Sequence, residues 1–183
     1  MRTLSILPAL VLVLAVPASG QALKGHNSNA PVDVQADRIE VQDRADRAIF
    51  SGNVHIEQQG LTMTAARLTV AYANGAGSGV AIQRLDATGG VTVKSATESA
   101  RGDIAIYDLP RRLITMVGGV SLNQGGNEVR GGRLVIDLNT GRSVVDGSAV
   151  GGTAGVSGSG GGRVTGHFTV TDRKSTRLNS SHG

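Results

Sequence analysis

The sequence predicts an all-β domain, and three observations support this fold class. Apolar and polar residues alternate with a period of two along most of the chain, which is the pattern of half-buried strands. Glycine-containing motifs recur at a fixed spacing, as they do in chains built from repeated supersecondary units. After the amino-terminal apolar run, no segment shows the 3.6-residue periodicity of an amphipathic helix. The chain is therefore expected to consist of repeated short antiparallel strands.

The first element, residues 1–22, is predicted to be a secretory signal peptide. Arg2 precedes an almost wholly apolar run at residues 4–16, and small residues follow. The apolar run falls short of the roughly 20 residues that a membrane-spanning helix needs, so cleavage is favoured over anchoring. Cleavage after Ala18, Gly20 or Ala22 would fit equally well.

The strand region contains two motifs whose spacing defines a repeat. A glycine motif, Gly-[Asn/Gly]-Val, begins at Gly52, Gly89 and Gly118, with a degenerate copy at Gly147. A small-residue motif, which leads into an alternating strand, begins at Ala36, Ala65, Gly102 and Gly131. Each glycine motif is followed by a small-residue motif 13 residues later, and the return spacing is 16 residues except from Ala65 to Gly89, where it is 24. The repeat is therefore 29 residues, and its second copy has eight extra residues.

The extra residues are assigned to the polar segment 74–79, which is expected to form an exposed loop. The glycines of the glycine motif allow positive φ or a β-bulge, so each strand can bend midway and keep its register. Phe50, Gly52 and Val54 are accordingly expected to share one face, and the same holds across Gly118.

The inward face of these strands is expected to be a smooth aliphatic groove, because the chain contains only two Phe, two Tyr and no Trp. Such a lining suits the binding of an apolar ligand better than a reaction. The predicted groove residues are Phe50, Val54, Ile56, Leu68, Val70, Val91, Val93, Ile104, Ile106, Met116, Val120, Leu122, Leu134 and Ile136.

The carboxyl-terminal part is predicted to contain a Gly/Ser-rich loop at about residues 151–162, a closing strand at 163–170 and a non-native or disordered tail at 173–183. One domain, residues 23–172, is the simplest organisation. The formal charge of +4 disappears without Arg2, Arg173, Lys174 and Arg177, which leaves 14 basic and 14 acidic residues. Nucleic acid is not an expected partner, because phosphate binding needs clustered cations.

No catalytic, metal or cofactor site is predicted. His55 and Glu57 share a strand face and could supply half a metal site, but a solvated polar face is the simpler interpretation. Asp37 and Asp103 stand beside small residues at strand beginnings, where turn chemistry explains them better than acid/base catalysis. The glycine-rich pieces lack the Lys-Ser/Thr of a phosphate loop. Without cysteine, the chain has neither disulfides nor thiolate ligands.

The residues that carry a family likeness are Ala36-Asp37, the stretches 50–54, 102–108, 117–125 and 131–138, and the closing segment 163–170. They resemble the OstA-like repeat of the periplasmic lipopolysaccharide-transport protein A (LptA) family over about residues 31–147. The resemblance implies a periplasmic protein with a twisted, open β-jelly roll, whose two sheets form a V-shaped trough for the acyl chains of lipopolysaccharide. It also implies head-to-tail self-association and strand-edge pairing with an inner-membrane LptC-like protein and an outer-membrane LptD-like receptor.

Three alternatives stay open on the sequence alone. An LptC-like partner of the same system would keep its hydrophobic anchor. A β-solenoid scaffold or adhesin would have uniform rungs around a filled, dry core, whereas an open apolar trough would favour the carrier. A glycan hydrolase would need convergent carboxylates.

Overall fold

The computed structural model describes residues 26–74, 79–147 and 162–169. Within these residues ten strands and one short 3-10 helix follow one another: β1 Asp33–Gln35, β2 Arg38–Gln42, the helix Asp43–Ala45, β3 Arg47–Gln58, β4 Leu61–Asn74, β5 Val80–Lys94, β6 Glu98–Asp108, β7 Leu113–Gln124, β8 Asn127–Asp137, β9 Arg142–Asp146 and β10 Thr165–His167. In this part of the chain, none of the helices has the length and apolar character needed to cross a membrane. The predicted signal peptide, residues 151–161 of the predicted Gly/Ser-rich loop and the predicted tail at 173–183 lie outside the described residues.

The strands form one antiparallel sheet in which β3 to β8 are ordered as in the sequence. β1 and β2 both pair with β3 at one edge, while β9 and β10 both pair with β8 at the other. This order confirms the predicted all-β fold and leaves the sheet open. It also shows that the β-solenoid alternative is wrong, because every pair of strands is antiparallel and the strands of a β-helix are parallel.

Each long strand bends near its middle, and the bends form a line across the sheet. The pairing register shifts between Ser51 and Val54 in β3, and equivalent shifts follow between Thr88 and Val91 and between Val117 and Val120. The line of bends divides the sheet into two half-sheets that fold onto each other. Half-sheet A comprises β1, residues 54–58, 61–65, 91–94, 98–102, 120–124 and 127–131, and β10; half-sheet B comprises β2, residues 47–51, 67–74, 80–88, 104–108, 113–117 and 133–137, and β9.

The two sequence motifs are neighbours in space at these bends. A Cβ atom on Gly118, where φ is +85°, would collide with the carboxylate of Asp103. Gly52 stands in the same relation to Asp37, and the side-chain amide of Asn53 donates a hydrogen bond of 2.9 Å to that carboxylate. Positive φ and the close approach both require glycine. The two motifs of the 29-residue repeat therefore mark the positions at which neighbouring strands bend.

The bend affects the two kinds of strand differently. In strands with the glycine motif, the inward residues that flank the bend are four positions apart, as are Met116 and Val120. In strands with the small-residue motif they are three positions apart: Ala65 and Leu68 in β4, and Gly102 and Ala105 in β6. Alternation therefore continues through the bends of β3, β5 and β7 but shifts by one residue in β4, β6 and β8.

The eight extra residues of the second repeat lie only partly in a loop. β4 and β5 contain 14 and 15 residues, against 11 or 12 in β6, β7 and β8. Asn74 and Val80 pair with each other as the last described rung of this hairpin. The prediction that the whole excess forms a loop at 74–79 is therefore wrong, because part of it lengthens both strands; residues 75–78 lie outside the described residues.

Candidate functional site

The predicted groove residues mostly meet in one apolar core between the half-sheets. Ten of the fourteen are at most 6% exposed: Val54, Ile56, Leu68, Val70, Val91, Val93, Met116, Val120, Leu134 and Ile136. Phe50 and Leu122 are partly buried and pack against this core. Whether these residues contact a lipid stays a prediction, but their common location between the half-sheets is a property of the fold.

The inward placement of Ile104 and Ile106 is wrong. Ile104 is 38% exposed, and Ile106 is only partly buried and pairs with the polar residues Asp86 and Thr115 on the outer face. The shift of alternation at the bend of β6 instead places their neighbours inward. Ala105 is 0% and Tyr107 1% exposed.

The sequence interpretation also missed other core residues. Some lie at strand ends or in turns, beyond the alternating stretches that define the groove; others lie inside strands where small residues weaken the pattern. The buried apolar residues not predicted for the groove are Leu61, Met63, Ala65, Leu85, Ala87, Ala100, Ala105, Tyr107, Leu109, Ile114 and Leu138.

Side chains from both half-sheets fill the interior. Met63 and Ile56 of half-sheet A and Leu85 of half-sheet B line a cavity of only about 10 Å³. A second cavity of about 10 Å³ lies between Leu61 and Ile136. The open trough that the resemblance implies is therefore closed in this structure, and strand direction rather than an empty interior rules out the solenoid.

The apolar inner face continues to both edges of the sheet, where it is uncovered. Ile39 of β2 pairs with Phe50 and is 56% exposed, and Val41 pairs with Ala48 and is 58% exposed. At the opposite edge the ring of Phe168 lies on the side of Gly166 where a Cβ would project, and Phe168 is 66% exposed. Both ends of the interior thus present apolar side chains to solvent.

The mouth of the fold, the opening between the hairpin ends of the two half-sheets, is bridged by buried Gln58. Its side-chain oxygen accepts hydrogen bonds from the Tyr107 hydroxyl at 2.9 Å and from the His26 ring at 3.0 Å. Its side-chain nitrogen donates to the backbone oxygens of Ser28 at 3.0 Å and Ala30 at 2.9 Å. The amide therefore links both half-sheets to the segment 26–32, which we call the amino-terminal strap.

Burial raises the pKa of the Tyr107 hydroxyl, while the neighbouring Ser28 side chain and the positive charge of Arg112 act in the opposite direction. The phenol therefore stays protonated at neutral pH and can donate to Gln58. The strap covers the mouth at this contact, and its residue Ser28 is accordingly only 4% exposed.

A cleft of about 430 Å³ lies outside the strap. Its walls are the strap itself, the lengthened beginning of β5 at residues 80–82, and the turn between β6 and β7 at residues 109–112. Val32 lines this cleft and also the internal cavity beside Gln58 and Tyr107. The outside and the interior are thus separated here by the strap and Val32.

The described residues offer little chemistry for catalysis. In residues 26–74, 79–147 and 162–169 there is no group of three or more His, Cys, Asp or Glu side chains that could hold a metal ion. Asp37 sits at a bend, where its backbone N–H donates to the Gly52 oxygen at 2.9 Å. Asp103 has the same structural place beside Gly118.

Comparison with known proteins supports the same fold. The profile of the family described as LptA/(LptD N-terminal domain) LPS transport protein matches residues 33–142. An uncharacterized protein of Rhizobium meliloti strain 1021 is 31% identical over 147 residues, which cover 78% of each chain. The crystal structure of LptH from Pseudomonas aeruginosa, described as the LptA homologous periplasmic component of a lipopolysaccharide transport device, has a TM-score of 0.65 at 17% identity and covers 78% of this chain and 98% of that one.

Proposed function

Because this chain belongs to the LptA/(LptD N-terminal domain) LPS transport protein family, we propose that it carries lipopolysaccharide through the periplasm and shields the acyl chains of lipid A between its half-sheets. The observation that carries the proposal is the aliphatic inner face, which runs from exposed Ile39 at one edge to exposed Phe168 at the other. Apolar side chains left uncovered at both ends are unusual for an isolated core and suit a passage.

Lipid binding by this interior requires the half-sheets to separate, because the inner side chains now fill the space between them. Lipid binding would replace one kind of apolar contact by another, since Val, Leu and Ile side chains that now contact each other would contact acyl chains instead. Removing apolar surface from water is favourable by about 25 cal/mol per Å² in either arrangement. The free-energy difference between the empty and the loaded protein can therefore be small.

Transfer partners would dock at the two edges of the open sheet. β1 and β2 at one edge and β9 and β10 at the other leave backbone groups available for another strand. We propose that these edges bind a second copy of the chain, an inner-membrane LptC-like protein and an outer-membrane LptD-like receptor. Their inner faces would then join into one continuous apolar path.

The test is site-specific photo-crosslinking to purified lipopolysaccharide, with each inward position compared with its outward neighbour. The inward positions are Val91, Met116 and Leu134, and the matched outward positions are Thr92, Thr115 and Val135. We expect labelling from the inward set and little from the outward set. Equal labelling of both sets in folded variants would refute binding between the half-sheets.

A further inference from the structure

We propose that acyl chains enter the interior through the mouth that the amino-terminal strap covers, and that loading displaces the strap. The inference rests on the proposed lipid-carrier function and adds where the lipid passes. The ligand class is an acylated amphiphile with an anionic headgroup, whose chain enters the core while its headgroup stays in the outer cleft.

The interior has no room for an acyl chain. The internal cavities beside Leu85 and Leu61 measure about 10 Å³ each, which is about the space that one water molecule needs. An acyl chain cannot enter this core unless part of the protein moves.

The strap is held by few hydrogen bonds. It pairs with none of the described strands before β1 begins at Asp33. Its described hydrogen bonds to the rest of the protein converge on one side chain, that of Gln58. Segments held by few contacts open at lower free energy than paired strands do. The strap can therefore leave while the sheet stays intact.

The strap separates the outer cleft from the inner cavity. Val32, at its end, forms part of the wall of both the outer cleft and the inner cavity. Movement of the strap away from Gln58 would connect the cleft of about 430 Å³ with the core. The joined space would be bounded by Ile56, Leu85 and Tyr107 inside and by the lengthened β4–β5 hairpin outside.

The cleft also suits the polar end of such a ligand. Arg112 lies in its wall, and arginine binds phosphate and carboxylate groups through paired N–H donors. Ile82 and Leu109 lie in the same wall and supply apolar contacts for the first part of the chain. The sequence expansion that lengthens β5 thus builds one side of the entrance.

The experiment measures strap displacement with a single thiol, because the chain has no cysteine of its own. Ser28→Cys places the thiol at a position that is 4% exposed. Maleimide labelling should be slow in the free protein and about tenfold faster with bound lipopolysaccharide, since labelling follows the open population. Ser121→Cys, on the outer face of β7, is the control and should label equally in both states.

A second variant tests the contact that holds the strap. Gln58→Leu removes every hydrogen bond that the amide makes, and we expect faster lipopolysaccharide loading. Gln124→Leu is the matched control, because Gln124 also ends a strand of half-sheet A and donates to Glu98 at 2.6 Å. Since Ser28→Cys is nearly isosteric, its labelling does not depend on whether Gln58→Leu folds.

The outcomes separate this inference from the proposed function. Lipopolysaccharide binding with the Ser28→Cys thiol still protected would overturn the strap entrance and leave the carrier function standing. Failure of the full chain to bind lipopolysaccharide would overturn both. Phosphatidylglycerol in mixed micelles is the second probe. Faster labelling of the Ser28→Cys thiol with both amphiphiles supports an entrance for acyl chains in general. Faster labelling with phosphatidylglycerol alone contradicts the proposed ligand.

Discussion

The hydroxyl of Tyr107 on half-sheet B donates a hydrogen bond of 2.9 Å to the side-chain oxygen of Gln58 on half-sheet A. Both side chains are at most 2% exposed. The contact joins the half-sheets on the side opposite the bends, so it closes the fold at the mouth. A polar pair in this position can be satisfied only while the half-sheets stay together.

Tyr107→Phe is expected to lower the free energy of unfolding by about 0.5–1.5 kcal/mol, because it removes one hydrogen bond and keeps the ring. The His26 ring still donates to the Gln58 oxygen in this variant. Urea unfolding followed by circular dichroism measures the change. Gln58→Leu should cost more, since it leaves the buried oxygen of Ser28 and the partly buried oxygen of Ala30 without their donor.

The same tyrosine predicts a loss of stability at alkaline pH. Because burial raises the pKa of folded Tyr107, the unfolded chain releases this proton at lower pH than the folded protein does. The stabilising contribution is complete below the ordinary pKa of about 10 and is lost as the pH rises through the folded pKa. Between about pH 9 and 11, wild-type protein should lose more stability than Tyr107→Phe. Parallel curves for the two proteins would contradict this.

Gly118→Ala should destabilise the protein by about 1–3 kcal/mol, because an L-residue is strained at positive φ and its Cβ would strike Asp103. Gly119→Asn is the matched control. No atom beyond the two adjacent residues lies within 4 Å of a Cβ at Gly119, and Asn53 occupies the equivalent place in β3 with φ of 46°. Thermal unfolding should separate the two variants, and similar melting temperatures would argue against the bend as the reason for this glycine.

The fold is predictable from the sequence because the repeat is regular, but the alternation of residues does not predict which residues of β6 point inward. Residues 104–107 are all apolar, so a period of two cannot decide which pair points inward. The 29-residue repeat does decide it. Leu134 and Ile136, both correctly placed inward, correspond to Ala105 and Tyr107, whereas Ile104 corresponds to Arg133.

Other features had no signal in the sequence. The strap is recognisable only because His26, Ser28 and Ala30 contact Gln58 across about 30 residues of chain. The sequence predicts that Gln58 is a polar residue at the end of a strand, and such residues are usually exposed to solvent. Its burial depends on how closely the two half-sheets approach each other at the mouth, and long-range packing sets the distance between them.

The corrected orientation of β6 gives a direct test on adjacent positions. Ala105→Glu should destabilise the protein by more than about 3 kcal/mol, because it buries a carboxylate without a partner. Ile106→Glu adds the same group on the outer face, next to Thr115, and should cost clearly less. The free energies of unfolding from urea titrations decide between the orientations; a larger loss at Ile106 would restore the original assignment.

Replacement of residues 75–79 by a two-residue Asn-Gly turn should leave the melting temperature nearly unchanged, because loop length costs little free energy. The flanking hairpin should be less tolerant. Ile82 packs against the core and lines the cleft, so Ile82→Ser should lower the melting temperature measurably. Differential scanning fluorimetry on both variants makes the comparison, and a large fall for the shortened loop would show that it packs against the protein.

The last prediction concerns the two edges of the sheet. β2 and β10 lie at opposite edges and present different apolar groups, Ile39 with Val41 at one and Val164 with Phe168 at the other. A contact between different surfaces is heterologous, and it builds open filaments when it does not close by rotation. We therefore expect the average mass measured by light scattering to rise with concentration in protein that lacks residues 173–183.

Variants at either edge should abolish this rise without unfolding the monomer. Ile39→Lys with Val41→Lys places charges on the edge strand β2, where both side chains are more than half exposed. Phe168→Pro or Val164→Pro removes a backbone donor beside β10 and blocks strand addition. Ile104→Lys is the control, since it removes an exposed apolar residue from a central strand and should leave association intact. A wild-type protein that stays monomeric at all concentrations and still delivers lipopolysaccharide to the receptor would refute head-to-tail stacking, because the apolar path would then end at each single molecule.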